Sequence, residues 1–215
     1  HLKIDETGMN IVIDKYKNLF EDGLGRYTGP IVGITPREGA RPKFLKSRPI
    51  PFAIRDRVYK ELDRLVACNV LVPIAYYEWA TPIVPVIKKD GSVRLCGDYR
   101  SPGNAVIDSD TYPLPTLNEA FAALEGGILY TKIDLEQAYT QVVVDEATSL
   151  LLTLNTPKGL FWMKRLAFGI KACPGIVQRL MSTLLAGIPG VAVLLDDIVV
   201  SGNDTSQHNE RLESI

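Results

Sequence analysis

The sequence predicts an α+β fold, and two kinds of pattern support that prediction. Apolar residues recur at helical spacing in some segments, whereas short β-branched runs bounded by turn residues indicate strands in others. These helices and strands are intermixed along the 215 residues without the regular strand–helix–strand alternation of a parallel α/β fold. The length allows one large domain or two small ones.

The first half of the chain begins with a Gly- and Pro-rich stretch up to Pro51, which reads as an extended connector. An amphipathic helix follows, because apolar residues recur at helical spacing on an otherwise charged segment: Ile54, Val58, Leu62, Leu65 and Val66. The stretch "TPIVPVIKKDGSVRLCGDYR" joins two β-branched runs through Asp90-Gly91, which predicts a β-hairpin.

In the second half, a helix is expected between Thr116 and Gly126, and another between Pro174 and Gly187. Strands are predicted for three apolar segments between these helices: "ILYTKIDL", "TQVVV" and "LLTLNT". Two further strands, "VAVLL" and "IVVSG", are separated only by Asp196 and Asp197. We therefore expect a tight hairpin with this pair at its tip, between strands that are apolar on both faces and hence buried.

Composition excludes several classes of protein. The hydrophobic share is 46% and the net charge is −1, which argues against a protein that coats nucleic acid or membrane over its whole surface. No apolar run approaches the roughly 18 residues of a membrane helix. The three cysteines are widely spaced, which favours a reducing, cytoplasmic setting. His1 and His208 lack partners at ligand spacing, which argues against a zinc site.

Charge is distributed unevenly along the chain. Residues 41–64 contain eight Lys/Arg and three Asp/Glu, whereas residues 101–163 contain two Lys/Arg and eight Asp/Glu. A basic segment followed by an acidic one is compatible with a phosphate-facing surface and a cation-binding centre. Two solvated faces without any partner explain the same counts, so charge alone leaves both interpretations open.

Three carboxylates carry the chemical prediction. Asp134 ends the predicted strand "LYTKID", and Asp196 and Asp197 are placed at the hairpin tip. Carboxylates held together at strand ends repel one another unless a cation lies between or beside them. The three residues therefore predict a site for hard divalent cations, although an Asp-rich turn without metal remains an alternative.

Ordered blocks along nearly the whole chain resemble the reverse transcriptase of gypsy-type LTR retrotransposons. The matching stretches include "EWATPIVPVIKKDGSVRLCGDYR", "YPLPT", "TKIDLEQAY", "LNTPKGL" and "GIPGVAVLLDDIVVSG". The resemblance implies the fingers and palm of a right-hand polymerase without its thumb, with a split βαβ type palm sheet. It also implies an extended lead-in over 1–50, fingers over 51–111 and a palm over 112–215 with interleaved fingers elements.

The same resemblance implies roles for individual residues at the acidic centre. Asp134 matches the first catalytic aspartate, and Asp196 and Asp197 match the aspartate pair of the polymerase signature. By analogy, Asp134 and Asp196 would ligate two Mg²⁺ ions, with Mn²⁺ as a substitute. The Leu135 backbone carbonyl would help, and Asp197 would have a supporting role.

Other positions match the nucleotide and template contacts of the family. Tyr139 matches the aromatic gate that collides with a ribose 2′-hydroxyl. Lys88 and Arg94 match the triphosphate contacts, and Lys89 competes with Lys88. Template-strand contacts and packing are implied for Asp98-Tyr99-Arg100. Phe168-Gly169, Pro174 and Gln178 match the palm segment that lines the nucleotide pocket and approaches the template. Gln178 fits a solvated helix position equally well.

Several positions depart from the family pattern. Leu194 stands where an aromatic usually precedes the aspartates, Ala167 replaces a Pro, and Val177 replaces a Phe. Cys173 takes a small-residue position, and Pro102-Gly103 stands where an apolar pair is usual. The Val177 change is expected to leave a cavity or a shifted helix. Together the departures resemble drift in a copy no longer selected for activity.

The predicted function is RNA-directed DNA polymerase, with primed RNA or DNA template and dNTPs as partners and a thumb and RNase H in the remaining polyprotein. One alternative is a decayed or co-opted copy that binds nucleic acid or protein without catalysis. A second is a nucleotidyl cyclase, which shares the palm topology and paired acids. The cyclase ranks last because the blocks "VRLCGDYR" and "EWATPIVPV" have no place in it.

Overall fold

The computed structural model describes residues 12–21, 23–101 and 103–215. The described residues form two compact units, each made of separate chain segments. The three-stranded unit contains the described residues up to Gly23, together with Thr111–Glu136 and Pro174–Ile215. The five-stranded unit contains Leu24–Asp110 and Gln137–Cys173. Residues 137–173 thus group with the preceding half of the chain, and the names fingers and palm stay a prediction.

The five-stranded unit is built on a mixed sheet of the strands β1 (Leu71–Ile74), β2 (Thr81–Ile87), β3 (Val93–Gly97), β5 (Leu154–Thr156) and β6 (Gly159–Met163). Their order in the sheet is β1-β6-β5-β2-β3. Parallel pairing occurs between β2 and β5, and the other neighbours are antiparallel. Its helices are α1 (Phe52–Ala67), α2 (Gly103–Val106), α4 (Ala138–Gln141) and α5 (Glu146–Leu151).

Helix α1 confirms the amphipathic prediction. Its buried residues Val58, Leu62 and Leu65 recur every three or four positions, so they share one face of the helix. The helix contacts β1 and β3, which bury this face. Asn69, with φ of 53°, turns the chain out of the helix shortly after its end.

The predicted hairpin with Asp90-Gly91 at its turn is also confirmed. Ile87 pairs with Val93 in the last register pair of β2 and β3. The Asp90 carboxylate accepts hydrogen bonds from the backbone N–H and the hydroxyl of Ser92, at 2.8 and 2.7 Å. Gly91 has φ of 81°, a left-handed conformation that glycine adopts without steric cost.

Two strand predictions in this unit need correction. "TQVVV" is not a strand, because Gln137 with φ of 52° precedes the helical turn α4, while Val143 and Val144 form isolated bridges. "LLTLNT" is a strand only from Leu154. The Asp145 side chain accepts from the Thr148 N–H and caps α5, which extends through the first residue of that segment.

The three-stranded unit has the antiparallel order β4-β8-β7. These strands are β4 (Leu129–Asp134), β7 (Val191–Leu194) and β8 (Asp197–Gly202). The unit also has a 3-10 turn, Lys17–Phe20, and the helices α3 (Leu117–Ala123), α6 (Cys173–Leu184) and α7 (Thr205–Glu213). Of α6, the residues from Pro174 onward belong to this unit. Both helices expected here, α3 and α6, are present, and the Thr116 side chain and Glu119 form a capping box on α3.

The aspartate hairpin differs from its prediction in two respects. Its turn is Leu195-Asp196, and Asp197 is the first residue of β8, opposite Leu194. The strands are not buried on both faces, since Leu194 remains 37% exposed. Only β8 has a neighbour on each side within this sheet, and its residues Ile198 and Val200 are buried.

None of the helices in the described residues combines the length and the hydropathy required to cross a membrane.

Candidate active site

The three predicted catalytic aspartates lie at one end of the three-stranded sheet. Asp134 is the last residue of β4, and its Cα partner on β8 is Asp197. The Leu135 N–H donates to the Asp196 carbonyl at 3.2 Å, which continues the pairing one residue further. Residues directly opposite in an antiparallel pair have Cβ atoms about 4.5–5.5 Å apart. Strand register therefore brings Asp134 beside the aspartate hairpin.

All three acids reach solvent. Asp134 is exposed, and Asp196 and Asp197 are half-buried, although apolar residues surround the pair in the sequence. Full burial of an unpaired carboxylate would cost several kcal/mol or more. The turn at Leu195-Asp196 avoids most of this cost because it brings the pair to the end of the sheet, where water reaches both side chains.

Lys132 is a further member of this cluster, and it was not predicted from the sequence. Its Nζ lies 2.9 Å from Oδ2 of Asp197, and the two side chains are 60% and 41% exposed. The hydrogen bond to Asp197 raises the pKa of Lys132, and the charges of Asp197, Asp134 and Asp196 add to the rise. The negative charges of all three carboxylates thus act on the Lys132 ammonium. A usable signal existed, because Lys132 precedes Asp134 by two residues on a strand.

The donor chemistry of the cluster fits a hard divalent cation. Mg²⁺ prefers oxygen ligands and is usually held by one or two carboxylates, with waters and substrate phosphates in its other positions. Asp134 and Asp196 supply two solvent-accessible carboxylates. Within the described ranges, no three His, Cys, Asp or Glu side chains are arranged as a ready-made metal group. The assignment of Asp134, Asp196 and Asp197 as metal ligands therefore stays a prediction.

Gln178 on α6 supports the aspartate hairpin from inside the unit. Its side-chain oxygen accepts from the Leu195 N–H at 2.7 Å, and its amide donates to the Val193 carbonyl at 3.1 Å. Leu195 has φ of 58°, a strained conformation for a residue with a side chain. Gln178 is 1% exposed, so the interpretation as a solvated helix residue is wrong. Its template contact stays a prediction.

The five-stranded unit brings together three other predicted residues. The Arg94 guanidinium carbon lies 4.6 Å from the ring centroid of Phe168. The Phe168 ring in turn lies 4.9 Å from that of Tyr139, at an interplanar angle of 54°. Arg94 and Phe168 line a small pocket with Gln137 and Thr140. A cation, two aromatic rings and polar groups thus meet in one place.

Arg94 also has an unsatisfied donor. Its Nε is buried and has no hydrogen-bond partner among the described residues. Buried polar groups in proteins nearly always have a partner, so each exception calls for an explanation. A phosphate oxygen is one group that would satisfy a guanidinium N–H.

The hairpin of the same unit distinguishes the two competing lysines. Arg94 pairs with Val86, and Lys88 lies two residues after Val86. Because side chains alternate between the two faces of a strand, Lys88 is expected on the same face as Val86 and Arg94. The Lys88 N–H donates to the Ser92 carbonyl at 2.9 Å, which fixes its backbone at the turn. Lys89 is exposed within the turn itself. The geometry favours Lys88, and its triphosphate contact stays a prediction.

The segment Asp98-Tyr99-Arg100 has a structural role. Asp98 accepts from Arg48 at 2.5 Å and from Arg100 at 2.7 Å. The hydrogen bond from Arg100, followed by that from Arg48, holds the pKa of Asp98 well below its usual range. Tyr99 is 1% exposed and donates to the Leu152 carbonyl, which supports the packing part of its prediction. Template contacts of this segment stay predicted.

The positions that depart from the family pattern are mostly buried. Ala167 and Val177 are 4% and 3% exposed. The Cys173 thiol donates to the Ala167 carbonyl, and burial raises its pKa to about 12. The cavity or helix shift expected from Val177 stays a prediction. His1 and Pro102 lie outside the described residues.

Comparison with known proteins decides the family. The family model described as "Reverse transcriptase (RNA-dependent DNA polymerase)" matches residues 86–215. The chain belongs to the reverse transcriptase family. The aspartates, Arg94 and Phe168 all fall within the matched residues.

Two relatives share sequence with this reverse transcriptase chain over most of its length. An uncharacterized protein of Caenorhabditis elegans is 38% identical over 202 residues, 93% of this chain and 16% of that protein. The retrovirus-related Pol polyprotein from transposon opus of Drosophila melanogaster is 27% identical over 96% of this chain and 21% of the polyprotein. The chain thus spans about a fifth or less of the length of these relatives. The gypsy-type assignment stays a prediction.

Solved structures share the fold. The prototype foamy virus protease-reverse transcriptase, a CSH mutant, matches with a TM-score of 0.85 and 25% identity over 95% of this chain and 28% of that one. A foamy viral protease-reverse transcriptase in complex with an RNA/DNA hybrid matches with a TM-score of 0.83 and 22% identity over 99% and 29%. The predicted α+β, reverse-transcriptase-like fold is confirmed.

Proposed function

We propose that this chain is an RNA-directed DNA polymerase module that transfers a deoxynucleotidyl group from a dNTP to a primer 3′-hydroxyl. The observation that supports the proposal most strongly is the register pairing of Asp134 with Asp197, next to Asp196. This arrangement places three carboxylates of distant sequence positions at one accessible sheet end. Membership of the reverse transcriptase family supplies the reaction class.

Asp134 and Asp196 would hold two divalent cations, Mg²⁺ or alternatively Mn²⁺, with the Leu135 carbonyl as a further oxygen and Asp197 in support. Cations bound there supply charge stabilisation for the attacking and leaving oxygens of phosphoryl transfer. The protein's own contribution is to fix the two carboxylates on paired strand ends. Gln178 holds the Leu195 turn that positions Asp196.

Arg94 and Lys88 would bind the triphosphate of the incoming nucleotide. A guanidinium forms paired hydrogen bonds with phosphate oxygens, and the Nε of Arg94 has a donor to offer. Tyr139 would contact the sugar and exclude a 2′-hydroxyl by steric collision, which is specificity through a clash with the wrong substrate. Its ring packs against Phe168, which limits its freedom to move away.

Template and primer are the proposed macromolecular partners. The foamy viral relative was solved in complex with an RNA/DNA hybrid, and the eight Lys/Arg among residues 41–64 supply positive charge for a phosphate backbone. Further polyprotein segments, such as a thumb and RNase H, would hold most of the duplex. An intracellular location is part of the same proposal.

A decayed or co-opted copy is the second candidate. Leu194, at the position that usually carries an aromatic beside the primer terminus, is 37% exposed and lies opposite Asp197. An aliphatic side chain at this position offers neither the stacking surface nor the polar group of a tyrosine. Such a chain would bind nucleic acid without extending a primer.

Primer extension on a homopolymer template separates the two candidates. We expect extension that requires a divalent cation and falls about a hundredfold or more in Asp196→Asn, because one charged ligand of the centre is lost. Asp56→Asn, an exposed carboxylate on α1, is the matched control and should retain activity. The assay should include a version extended at its C-terminus. Hybrid binding without extension in both versions would favour the decayed copy.

A further inference from the structure

We propose that Lys132 is a built-in counterion of the acidic centre. In the absence of metal its ammonium pairs with Asp197, and this ammonium competes with a divalent cation for the site. The inference rests on the proposed function, because it takes the centre to be a divalent-cation site. Beyond that function, it states that Lys132 lowers the affinity of the centre for the cation.

The strand geometry places Lys132 on the correct face. Along β4 the side chains alternate between half-buried Thr131 and Ile133 and exposed Lys132 and Asp134. Residues two apart share a face of a strand, so Lys132 and Asp134 project to the same side. Since Asp134 is paired with Asp197, Lys132 is the diagonal neighbour of Asp197 across the strands.

The same geometry creates an electrostatic problem that Lys132 relieves. Like charges directly opposite each other on neighbouring strands destabilise a sheet. Asp134 and Asp197 are such a pair, and Asp196 adds a third negative charge next to them. The Lys132 ammonium, 2.9 Å from an Asp197 oxygen, offsets one of these charges without a metal.

The Lys132–Asp197 ion pair also explains how Asp197 can differ from Asp134 and Asp196 in its part in cation binding. With Asp197 neutralised by Lys132, Asp134 and Asp196 remain as two carboxylates, which is the number that Mg²⁺ usually takes from a protein. A tethered ammonium stays at high effective concentration beside the site. A divalent cation must therefore act against its field, which lowers apparent affinity. Because the pair is exposed, the effect is moderate and decreases with salt.

Direct cation binding tests the inference. Mn²⁺ titration by calorimetry is compared for the wild type, Lys132→Met, Lys132→Arg and Lys158→Met. Lys158 pairs with Asp63 at 2.5 Å in the five-stranded unit and is the matched control. We expect about three- to tenfold tighter Mn²⁺ binding in Lys132→Met, based on the loss of one nearby charge in a high-dielectric setting, and little change in Lys132→Arg or Lys158→Met.

Thermal unfolding in EDTA provides a second readout without metal. Lys132→Met should have a lower unfolding midpoint than Lys158→Met, and the difference should vanish when Asp197→Asn is added, because the uncompensated charge is then gone. Equal Mn²⁺ affinity in the wild type and Lys132→Met, including no binding to either, would overturn the inference.

Primer extension separates this inference from the proposed function. Mn²⁺ binding that tightens in Lys132→Met, when neither this chain nor its C-terminally extended version extends a primer, would leave the counterion role standing and reject the polymerase. Normal primer extension by the wild type, with the same Mn²⁺ affinity in the wild type and Lys132→Met, would support the polymerase and reject the counterion role.

Discussion

The two units hold their candidate functional groups by different means. In the three-stranded unit, strand pairing places Asp134 beside Asp197, and the acids stay open to solvent. In the five-stranded unit, Arg94 comes from a strand, whereas Tyr139 lies in a single helical turn and Phe168 in an irregular segment. One arrangement follows from sheet register, and the other depends on packing between rings and a guanidinium.

The two regions also differ in how their charged groups are solvated and paired. Asp134 is exposed, Asp196 and Asp197 are half-buried, and Asp197 has a lysine partner, so water reaches all three acids. The Arg94 Nε is instead buried without a partner among the described residues, and an unmade hydrogen bond of this kind costs about 1–3 kcal/mol. A bound anion would recover that free energy. We therefore propose that the first region binds an exchangeable cation and that the second binds an anionic group such as a phosphate.

Removal of Arg94 gives the largest expected effect within this comparison. In Arg94→Met, the KM for dNTP should rise about 30- to 100-fold, because a charge-assisted pair of hydrogen bonds to phosphate is lost. The free energy of unfolding should stay the same or rise, since the buried unsatisfied donor disappears. Steady-state primer extension and urea unfolding measure the two quantities.

Arg57→Met is the matched control for this change. Arg57 donates to the Gly91 carbonyl at the hairpin turn and is exposed, so its loss should leave the KM unchanged. Arg94→Lys should recover only part of the affinity, because lysine lacks the forked donor geometry. A marked loss of stability in Arg94→Met would show that the arginine has a structural role and that the contrast between the units is wrong.

A substitution at Gln178 tests whether register alone is sufficient in the three-stranded unit. Gln178→Met removes the hydrogen bonds to Leu195 and Val193 and leaves their backbone groups unpaired, which should lower the free energy of unfolding by about 2 kcal/mol. Urea unfolding measures the change. The surface residue Gln207, which accepts from the Asn203 N–H, provides the control Gln207→Met, with a loss below about 1 kcal/mol.

Activity adds a second measurement for Gln178. If the side chain positions the aspartate turn, kcat should fall while the KM for dNTP stays near the wild-type value. A stable Gln178→Met protein with unchanged kcat would show that strand pairing holds Asp196 in place without the side-chain support.

Local patterns in the sequence predicted the elements that depend on local chemistry. The helix α1 follows from the spacing of Val58, Leu62 and Leu65, and the β2–β3 hairpin follows from Asp90-Gly91. In both cases residues close in sequence determine the structure, so a periodicity or a turn signal is enough. The position of Asp134 beside the aspartate hairpin joins distant parts of the chain, and it was expected from the resemblance to reverse transcriptases rather than from a local pattern.

Other features were missed or misassigned, some of them because they depend on distant partners. The "TQVVV" segment has high β-propensity, yet the left-handed Gln137 directs its first residues into a helical turn. Gln178 is buried because its amide bonds to the backbone of a hairpin 15 and 17 residues away. The strands β1 and β6 pair with each other across more than 80 residues of sequence, which a short window cannot reveal.

The smallest expected effect concerns the ion pairs that the buried Asp98 forms with two more exposed arginines in the five-stranded unit. Asp98→Asn removes the charge that Arg48 and Arg100 bind, and the free energy of unfolding at pH 7 should fall by about 1 kcal/mol. Because the folded pKa of Asp98 is lowered, its contribution is fully present above the unfolded pKa near 3.9 and is lost progressively as pH falls from there through the lower folded pKa. The difference between wild type and variant should therefore be constant from pH 7 to 5 and shrink below about pH 4. Urea unfolding across this range, with the exposed Asp63→Asn as control, measures the difference. A difference that does not decrease at all between pH 5 and pH 3 would mean that Asp98 acts through packing rather than charge.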